Sequence, residues 1–132
     1  MRRGDWQGYA RSILRIIAGA LFCLHGLQKL LGLFGGLGGQ GTTAPMWSQF
    51  WVAGVLETVG GGLVTFGLFT RPVALLLCGE MAVAYFRVHF PRGFWPIRNG
   101  GELAVLYCFV FLYLFAAGPG PISLDRVTRR KE

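Results

Sequence analysis

Four apolar runs of membrane-crossing length dominate this chain, at about 12–34, 50–69, 72–90 and 102–117. A bilayer core roughly 30 Å thick is crossed by about 20 consecutive apolar residues in a helix. Four such runs consume most of the 132 residues, and what remains is too little for a separate catalytic domain. The 13 basic and 6 acidic residues amount to 14% of the chain, against roughly 25% in a soluble domain. That shortage excludes a disordered or fibrous chain and argues against an ordinary soluble enzyme. The expected unit is one membrane domain over residues 1–132, with any chemistry placed among its helices or in a partner.

The first run follows Arg2 and Arg3, as a secretory signal would. Its apolar core is longer than a signal core and lacks a small-residue cleavage pattern, so it reads as a retained span. The uncharged stretch Gly35–Gly41 has the composition of a flexible linker. Met46, Trp47 and Trp51 mark an interfacial aromatic edge before the second run. Arg71-Pro72 predicts a tight turn, because proline lacks an amide hydrogen and suits a first helical turn; the second and third runs then form a helical hairpin. Gly118-Pro119-Gly120-Pro121 ends the fourth.

An even number of crossings leaves both termini on one side. That side collects Arg2, Arg3, Arg11, Arg71, Arg126, Arg129, Arg130 and Lys131, while the opposite loops hold Arg92 and Arg98. The positive-inside rule puts the richer side in the cytoplasm. The net charge of +7 therefore reads as membrane topology rather than a nucleic-acid face, which needs base-reading or stacking groups among its cations. The expected fold class is all-α: an integral membrane antiparallel four-helix bundle with cytoplasmic N- and C-termini, since a spanning backbone must satisfy its own hydrogen bonds.

Ionisable groups at membrane depth cost several kcal/mol each unless paired or wetted, so their positions carry information. With about 1.5 Å of rise per residue, His25 and Glu57 fall roughly 10 Å below the outer boundary, Lys29 roughly 5 Å and Glu80 about 15 Å. Arg87, His89 and Glu102 fall close to that surface. Arg15 alone lies near the inner face, where a long side chain is expected to snorkel to water. Helical spacing puts Arg11, Arg15, Ala18, Phe22, His25 and Lys29 on one stripe, Gly54, Glu57 and Gly61 on another, Glu80, Ala84 and Arg87 on a third, and Glu102, Leu106, Phe109 and Tyr113 on a fourth. Turning all four stripes inward predicts a polar pocket in the outer half of the bundle, built from His25, Lys29, Glu57 and Glu80, with Arg87, His89 and Glu102 at its mouth.

A purely structural reading makes such pairs polar glue that fixes helix register. One or two pairs suffice for register, whereas seven groups converge here, which favours a cavity. A metal centre is disfavoured because the Glu-x-x-His repeat of carboxylate-bridged bundle sites is absent, and His25 and His89 lie at different depths for haem. Cys23, Cys78 and Cys108 form no Cys-x-x-Cys motif and read as small apolar filler. Gly60-Gly61-Gly62 lies mid-helix without a phosphate-binding context, so close helix packing explains it. Most of Phe86, Phe90, Phe94, Trp95, Tyr107, Phe109 and Tyr113 pack the core or face lipid; a minority would suit a flat ligand such as a quinone headgroup.

Together the quoted residues resemble the DoxX family of small bacterial inner-membrane proteins. The stretches are Gly19-x-x-Phe22-x-x-His25-Gly26-x-x-Lys29-Leu30, Gly54-x-x-Glu57-x-x-Gly60-Gly61-x-Leu63-x-x-x-Gly67-x-x-Thr70-Arg71, Gly79-Glu80-Met81-Ala82-Val83-Ala84-Tyr85, Asn99-Gly100-Gly101-Glu102, and Gly118-Pro119-Gly120-x-x-Ser123-Leu124-Asp125. The resemblance implies a four-helix protein of the bacterial inner membrane, multi-pass, and a link to oxidoreductase systems: the family takes its name from a subunit of an archaeal thiosulfate:quinone oxidoreductase. Some members are associated with superoxide dismutase and a thiol oxidoreductase in a membrane complex. It carries over no catalytic residue. His25, Lys29, Glu57, Glu80 and Glu102 correspond only to recurrent polar positions.

The functional expectation is a membrane subunit or accessory of a quinone- or thiol-linked oxidoreductase system, without a self-sufficient catalytic motif and with quinone as the candidate cofactor. An oxidoreductase or superoxide dismutase is the candidate protein partner beside the lipid bilayer, and self-association is left open. The alternatives are a non-enzymatic module that binds or transports a lipid or small molecule, and a membrane scaffold for a redox complex.

Overall fold

The computed structural model describes residues 3–129; Arg2, Arg130 and Lys131, three of the charges counted above, lie outside the described residues. Helix accounts for 76% of the described residues, and no strand occurs among them. Helix α1 (Arg3–Leu31) begins well before the apolar run and stops at Gly32, whose φ of 68° suits a residue without a side chain. The glycine-rich stretch then folds back on itself. Gly41 N–H donates to Gly35 O at 2.7 Å, Leu37 N–H to Thr42 O at 2.8 Å, and Ala44 N–H to Lys29 O at 2.8 Å.

Helix α2 (Gln49–Phe66) starts at Ser48, whose hydroxyl accepts from Trp51 N–H at 3.2 Å, satisfying one of the unpaired first-turn amides. It ends in a left-handed cap at Gly67, with Gly67 and Leu68 N–H bonded to Val64 and Leu63 O. The tight turn is therefore Gly67-Leu68-Phe69 rather than Arg71-Pro72, and Pro72 already sits in the first turn of α3 (Thr70–Ala84). From there the chain stays helical through a π turn, Tyr85–His89, and a 3-10 turn, Phe90–Arg92. A short α4 (Pro96–Asn99), α5 (Glu102–Ala117) and α6 (Leu124–Arg129) complete the order.

The stretches Arg3–Leu31 and Thr70–Arg92 are long and apolar enough to cross a membrane. The other two expected spans are helical but weaker by that measure. Helix α5 is apolar but shorter, and α2 is diluted by Gln49, Glu57 and three successive glycines.

The long helices pack chiefly as two pairs, α1 with α2 and α3 with α5, joined by lighter contacts between α2 and α3 and between α1 and α5. Glycines set the first pair's spacing. A Cβ on Gly61 would stand 2.9 Å from Gly19 O, and one on Gly19 would stand 2.9 Å from Gly61 O, so the two backbones touch where neither carries a side chain. Phe22, Leu77, Phe111 and Leu114 are fully buried at the centre, with Phe22 edge-on to Phe111 at 4.9 Å. Outward, Ile17, Leu21, Phe66, Leu76, Leu106 and Phe109 are all exposed, an apolar coat far beyond what a water-soluble monomer shows.

One end of the molecule is locked by polar groups, and Arg15 is its centre. The expectation that Arg15 reaches water is wrong: its side chain is buried. Nε donates to Val64 O at 2.9 Å, Nη2 to Ile122 O at 2.5 Å and more weakly to Thr65 O at 3.5 Å, and Nη1 to Pro119 O. The physical reason is supply and demand. Thr65 O lies in the last turn of α2, where carbonyls lack an intrahelical partner, and Val64 O has a second lone pair beyond its bond from Gly67 N–H. The Gly-Pro-rich segment after α5 presents two more carbonyls, and one guanidinium serves both ends. Arg71 similarly donates to Phe115 and Ala116 O at the end of α5, while Asp125 accepts from Phe69 and Thr70 N–H at the start of α3. These contacts place the N-terminal half of α1 beside the C-terminal ends of α2 and α5, and the start of α3 beside the end of α5. Neighbouring long helices therefore run in opposite directions.

Candidate functional site

A cavity of about 980 Å³ lies at the other end, between the two helix pairs. Helix α1 contributes Lys29 and, one turn earlier, His25; α2 contributes Glu57 and α3 Glu80. Lys29 Nζ donates to both Glu57 carboxyl oxygens, at 2.7 and 2.5 Å. Glu57 is 2% exposed, so this ion pair is largely withdrawn from solvent, where a lone carboxylate would be untenable. The closeness of the pair depends on Gly54. A Cβ there would press on Leu30 and lie 3.1 Å from Lys29 Cβ, pushing α1 away from α2 at the level of the pair.

Glu80 has no such partner. Neither of its buried carboxyl oxygens makes a well-formed hydrogen bond; its foremost ionisable neighbour is the Glu57 carboxyl, near enough for a side-chain hydrogen-bonding interaction, followed by Lys29. One ammonium thus stands against two carboxyls, and the second carboxyl is left without a cation of its own. The His25 ring meets the edge of Tyr107 at 6.1 Å, and Tyr107 in turn tilts against Phe22 at 5.0 Å. A polar floor therefore sits beneath aromatic and aliphatic walls, the usual make-up of a small-molecule pocket.

Arg87 and His89 reach the cavity from the π turn of α3. The wider turn, in which Phe90 N–H bonds to Tyr85 O, shifts the phase of the residues beyond it; such single π turns recur at functional sites. Asn99 pins this turn to the loop before α5. Its amide nitrogen donates to Tyr85 OH at 3.2 Å and Gly93 O at 2.8 Å, and its side-chain oxygen accepts from Gly101 N–H at 2.8 Å. His89 Nδ1 lies 3.2 Å from Asn99 O, and the Tyr85 hydroxyl donates to Phe94 O. His89 is thereby anchored at the cavity edge, while Arg87 is exposed.

Six of the seven residues singled out from sequence line this cavity: His25, Lys29, Glu57, Glu80, Arg87 and His89. Glu102 does not. It is exposed in the first turn of α5, where a carboxylate interacts favourably with the helix dipole. The whole stripe assigned to that helix points the wrong way: Leu106, Phe109 and Tyr113 are exposed, and the inward face is Ala104, Tyr107, Phe111 and Leu114. Helix α5 is apolar all round, so hydrophobic periodicity carries no phase information there, and the assignment followed Glu102 instead. Of the aromatics grouped from sequence, the structure puts Tyr107 in the cavity wall, whereas the role of Asn99 as the clamp on the π turn was missed. What could have singled Tyr107 out of that group was its three-residue spacing from the small Ala104.

The three cysteines are free. Cys23 Sγ lies 3.4 Å from Thr58 O, and Cys78 and Cys108 meet across the α3–α5 contact with their sulfurs 3.6 Å apart. No cluster of three or more His, Cys, Asp or Glu suited to a metal ion occurs among the described residues.

Comparison with known proteins agrees with the sequence resemblance. The DoxX family model matches residues 10–90. An uncharacterized protein of Haemophilus influenzae is 45% identical, over 91% of this chain and 91% of its own length. CatD of Bacillus subtilis, provisionally named an oxidoreductase, is 30% identical over 86% of this chain and 82% of its own. The inner membrane protein YphA of Escherichia coli is 30% identical over 90% and 93% respectively. No solved structure matches the chain. With a family model covering more than half its length, relatives aligned nearly end to end and an apolar outer surface, the chain belongs to the DoxX family and is a membrane protein.

Proposed function

We propose that the chain crosses the bacterial inner membrane four times as an antiparallel helical bundle with both termini in the cytoplasm, and serves as the membrane subunit of a quinone- or thiol-linked oxidoreductase system. In this reading the cavity lies in the outer half of the bilayer and receives a quinone headgroup. The observation that carries it is Glu80, whose buried carboxyl forms no well-made hydrogen bond and has no cation of its own beside the Lys29–Glu57 pair. A quinone supplies what that arrangement lacks: a carbonyl oxygen within reach of the lysine and, once reduced, a hydroxyl for a carboxyl to accept. Lys29 and Arg87 hold the oxygen, His25, Glu57 and Glu80 relay protons, and Tyr107 with Phe22 flanks the ring. Electrons come from a separate oxidoreductase docked to the bundle, and a superoxide dismutase is a further candidate partner rather than an electron source. CatD's oxidoreductase name and the inner-membrane location of YphA support the setting.

The test is a titration of the detergent-purified protein with ubiquinone and menaquinone. Saturable binding is expected, weakened about tenfold or more (roughly 1.4 kcal/mol) by Glu80→Gln and unchanged by Glu102→Gln. Absence of saturation with both quinones removes the redox reading. A second reading, a lipid or small-solute binding module, draws on the cavity rim: Phe50, Val52, Leu75, Leu76 and Val83 line it and are exposed, so the cavity opens sideways between α2 and α3. Co-purified lipid displaced by no quinone would favour that module.

A further inference from the structure

At the locked end of the molecule, a second cavity of about 620 Å³ lies between α1, α6 and the Gly-Pro-rich segment after α5. Four arginines line it, Arg11, Arg71, Arg126 and Arg129, against two aspartates, Asp5 and Asp125. Asp125 already spends both carboxyl oxygens on the Phe69 and Thr70 amides. Arg71 is partly committed, with Nη1 on the Phe115 and Ala116 carbonyls. Arg11 Nε, by contrast, is buried with no hydrogen-bond partner. Gly8 and Gly120 let the segment after α5 lie against α1 beside the hollow: a Cβ on Gly120 would strike Ser12 and Gly8 O, and one on Gly8 would press on Pro121. A cationic hollow with a donor left over is made for an oxyanion.

The surroundings narrow the choice of anion. Tyr9 lines the hollow, and Tyr9, Ile13, Ile17 and Leu21 follow at four-residue spacing down α1, all exposed. An apolar stripe thus leads from the cationic hollow along the outer wall, as a headgroup-and-chain ligand requires. We propose that this hollow binds the phosphodiester headgroup of an anionic phospholipid, with its acyl chains laid along the Tyr9–Leu21 stripe. Arg11, Arg126 and Arg129 grip the phosphate, and Arg71 completes the positive wall. The assignment to the cytoplasmic leaflet rests on the orientation proposed above; the binding itself does not.

The experiment measures the melting temperature of the delipidated full chain in detergent as phosphatidylglycerol, phosphatidylcholine or inorganic phosphate is added. A ligand bound to the folded state alone raises stability with concentration. Phosphatidylglycerol is expected to raise the melting temperature saturably, while phosphatidylcholine and inorganic phosphate leave it in place. The triple variant Arg11→Gln/Arg126→Gln/Arg129→Gln should need at least tenfold more phosphatidylglycerol for the same shift. Should that variant aggregate, Arg126→Gln/Arg129→Gln, at two exposed positions, reads the same loss. Equal shifts with phosphatidylcholine, an unchanged response in the variants, or a full response to inorganic phosphate each overturn the proposal. A C-terminal reporter accessible from outside the cell would refute the orientation and leave the binding result standing.

Discussion

Replacing Arg15 by methionine tests whether the protein is held together at one end by a buried guanidinium. Methionine keeps much of the apolar stem's volume and removes every donor. Two of the contacts are close, Nε to Val64 O at 2.9 Å and Nη2 to Ile122 O at 2.5 Å, with a further bond to Pro119 O; the Thr65 contact, at 3.5 Å, is discounted. Hydrogen bonds to a charged group contribute about 1.5–3 kcal/mol each, so two well-formed bonds bring about 3–6 kcal/mol. Removing the buried guanidinium returns part of that, because its own desolvation cost disappears. A net loss of about 3 kcal/mol is the working figure, and at about 3–4 °C per kcal/mol for a chain of this size it lowers the melting temperature by about 10 °C. The assay is intrinsic-fluorescence melting of the detergent-purified protein. Arg15→Lys is the informative companion: a single ammonium reaches at most one of the carbonyl groups, so its melting temperature should fall between the two. A change of less than about 2 °C in Arg15→Met would refute the reasoning. It would mean that the carbonyls are hydrated and that the arginine reaches water after all.

Two further substitutions probe the helix contacts. Gly61→Ala puts a methyl 2.7 Å from Cys23 N and should destabilise by about 1–3 kcal/mol, whereas Gly62→Ala meets open space and should stabilise by a few tenths to about 1 kcal/mol; equal effects in parallel melting curves would dismiss the close α1–α2 approach. Asp125→Ala leaves two amides at the start of α3 without their acceptor and is expected to cost about 1 kcal/mol, partly recovered in Asp125→Asn. Slower hydrogen exchange at Phe69 and Thr70 in the alanine variant than in the wild type would contradict the capping role.

How much of the site was legible depends on how strongly each helix labels its own faces. On α2, Gly54, Glu57, Gly60 and Gly61 are small or charged among bulky apolar residues, so the buried face is readable from spacing alone. On α1, the four-three run through Arg15, Phe22, His25 and Lys29 marks one stripe for the same reason. On α5 nothing marks a face except Glu102 at the very start, and Glu102 is a first-turn residue with a helix dipole to satisfy rather than a cavity to line.

The chain by itself determined its environment and its main segments. Apolar runs of this length with so few charges must seek lipid, and glycines opposite one another allow backbones to touch. Charges at depth gather because each is costly alone. Only the tertiary structure decided how the polar ends were used. Whether Arg15 met water or four carbonyl groups, whether the turn fell at Gly67 or Pro72, and which side of α5 faced inward all depended on neighbours distant in sequence. A hydrogen-bonding group takes the nearest unsatisfied partner in space, and spacing along one helix does not specify where another helix ends.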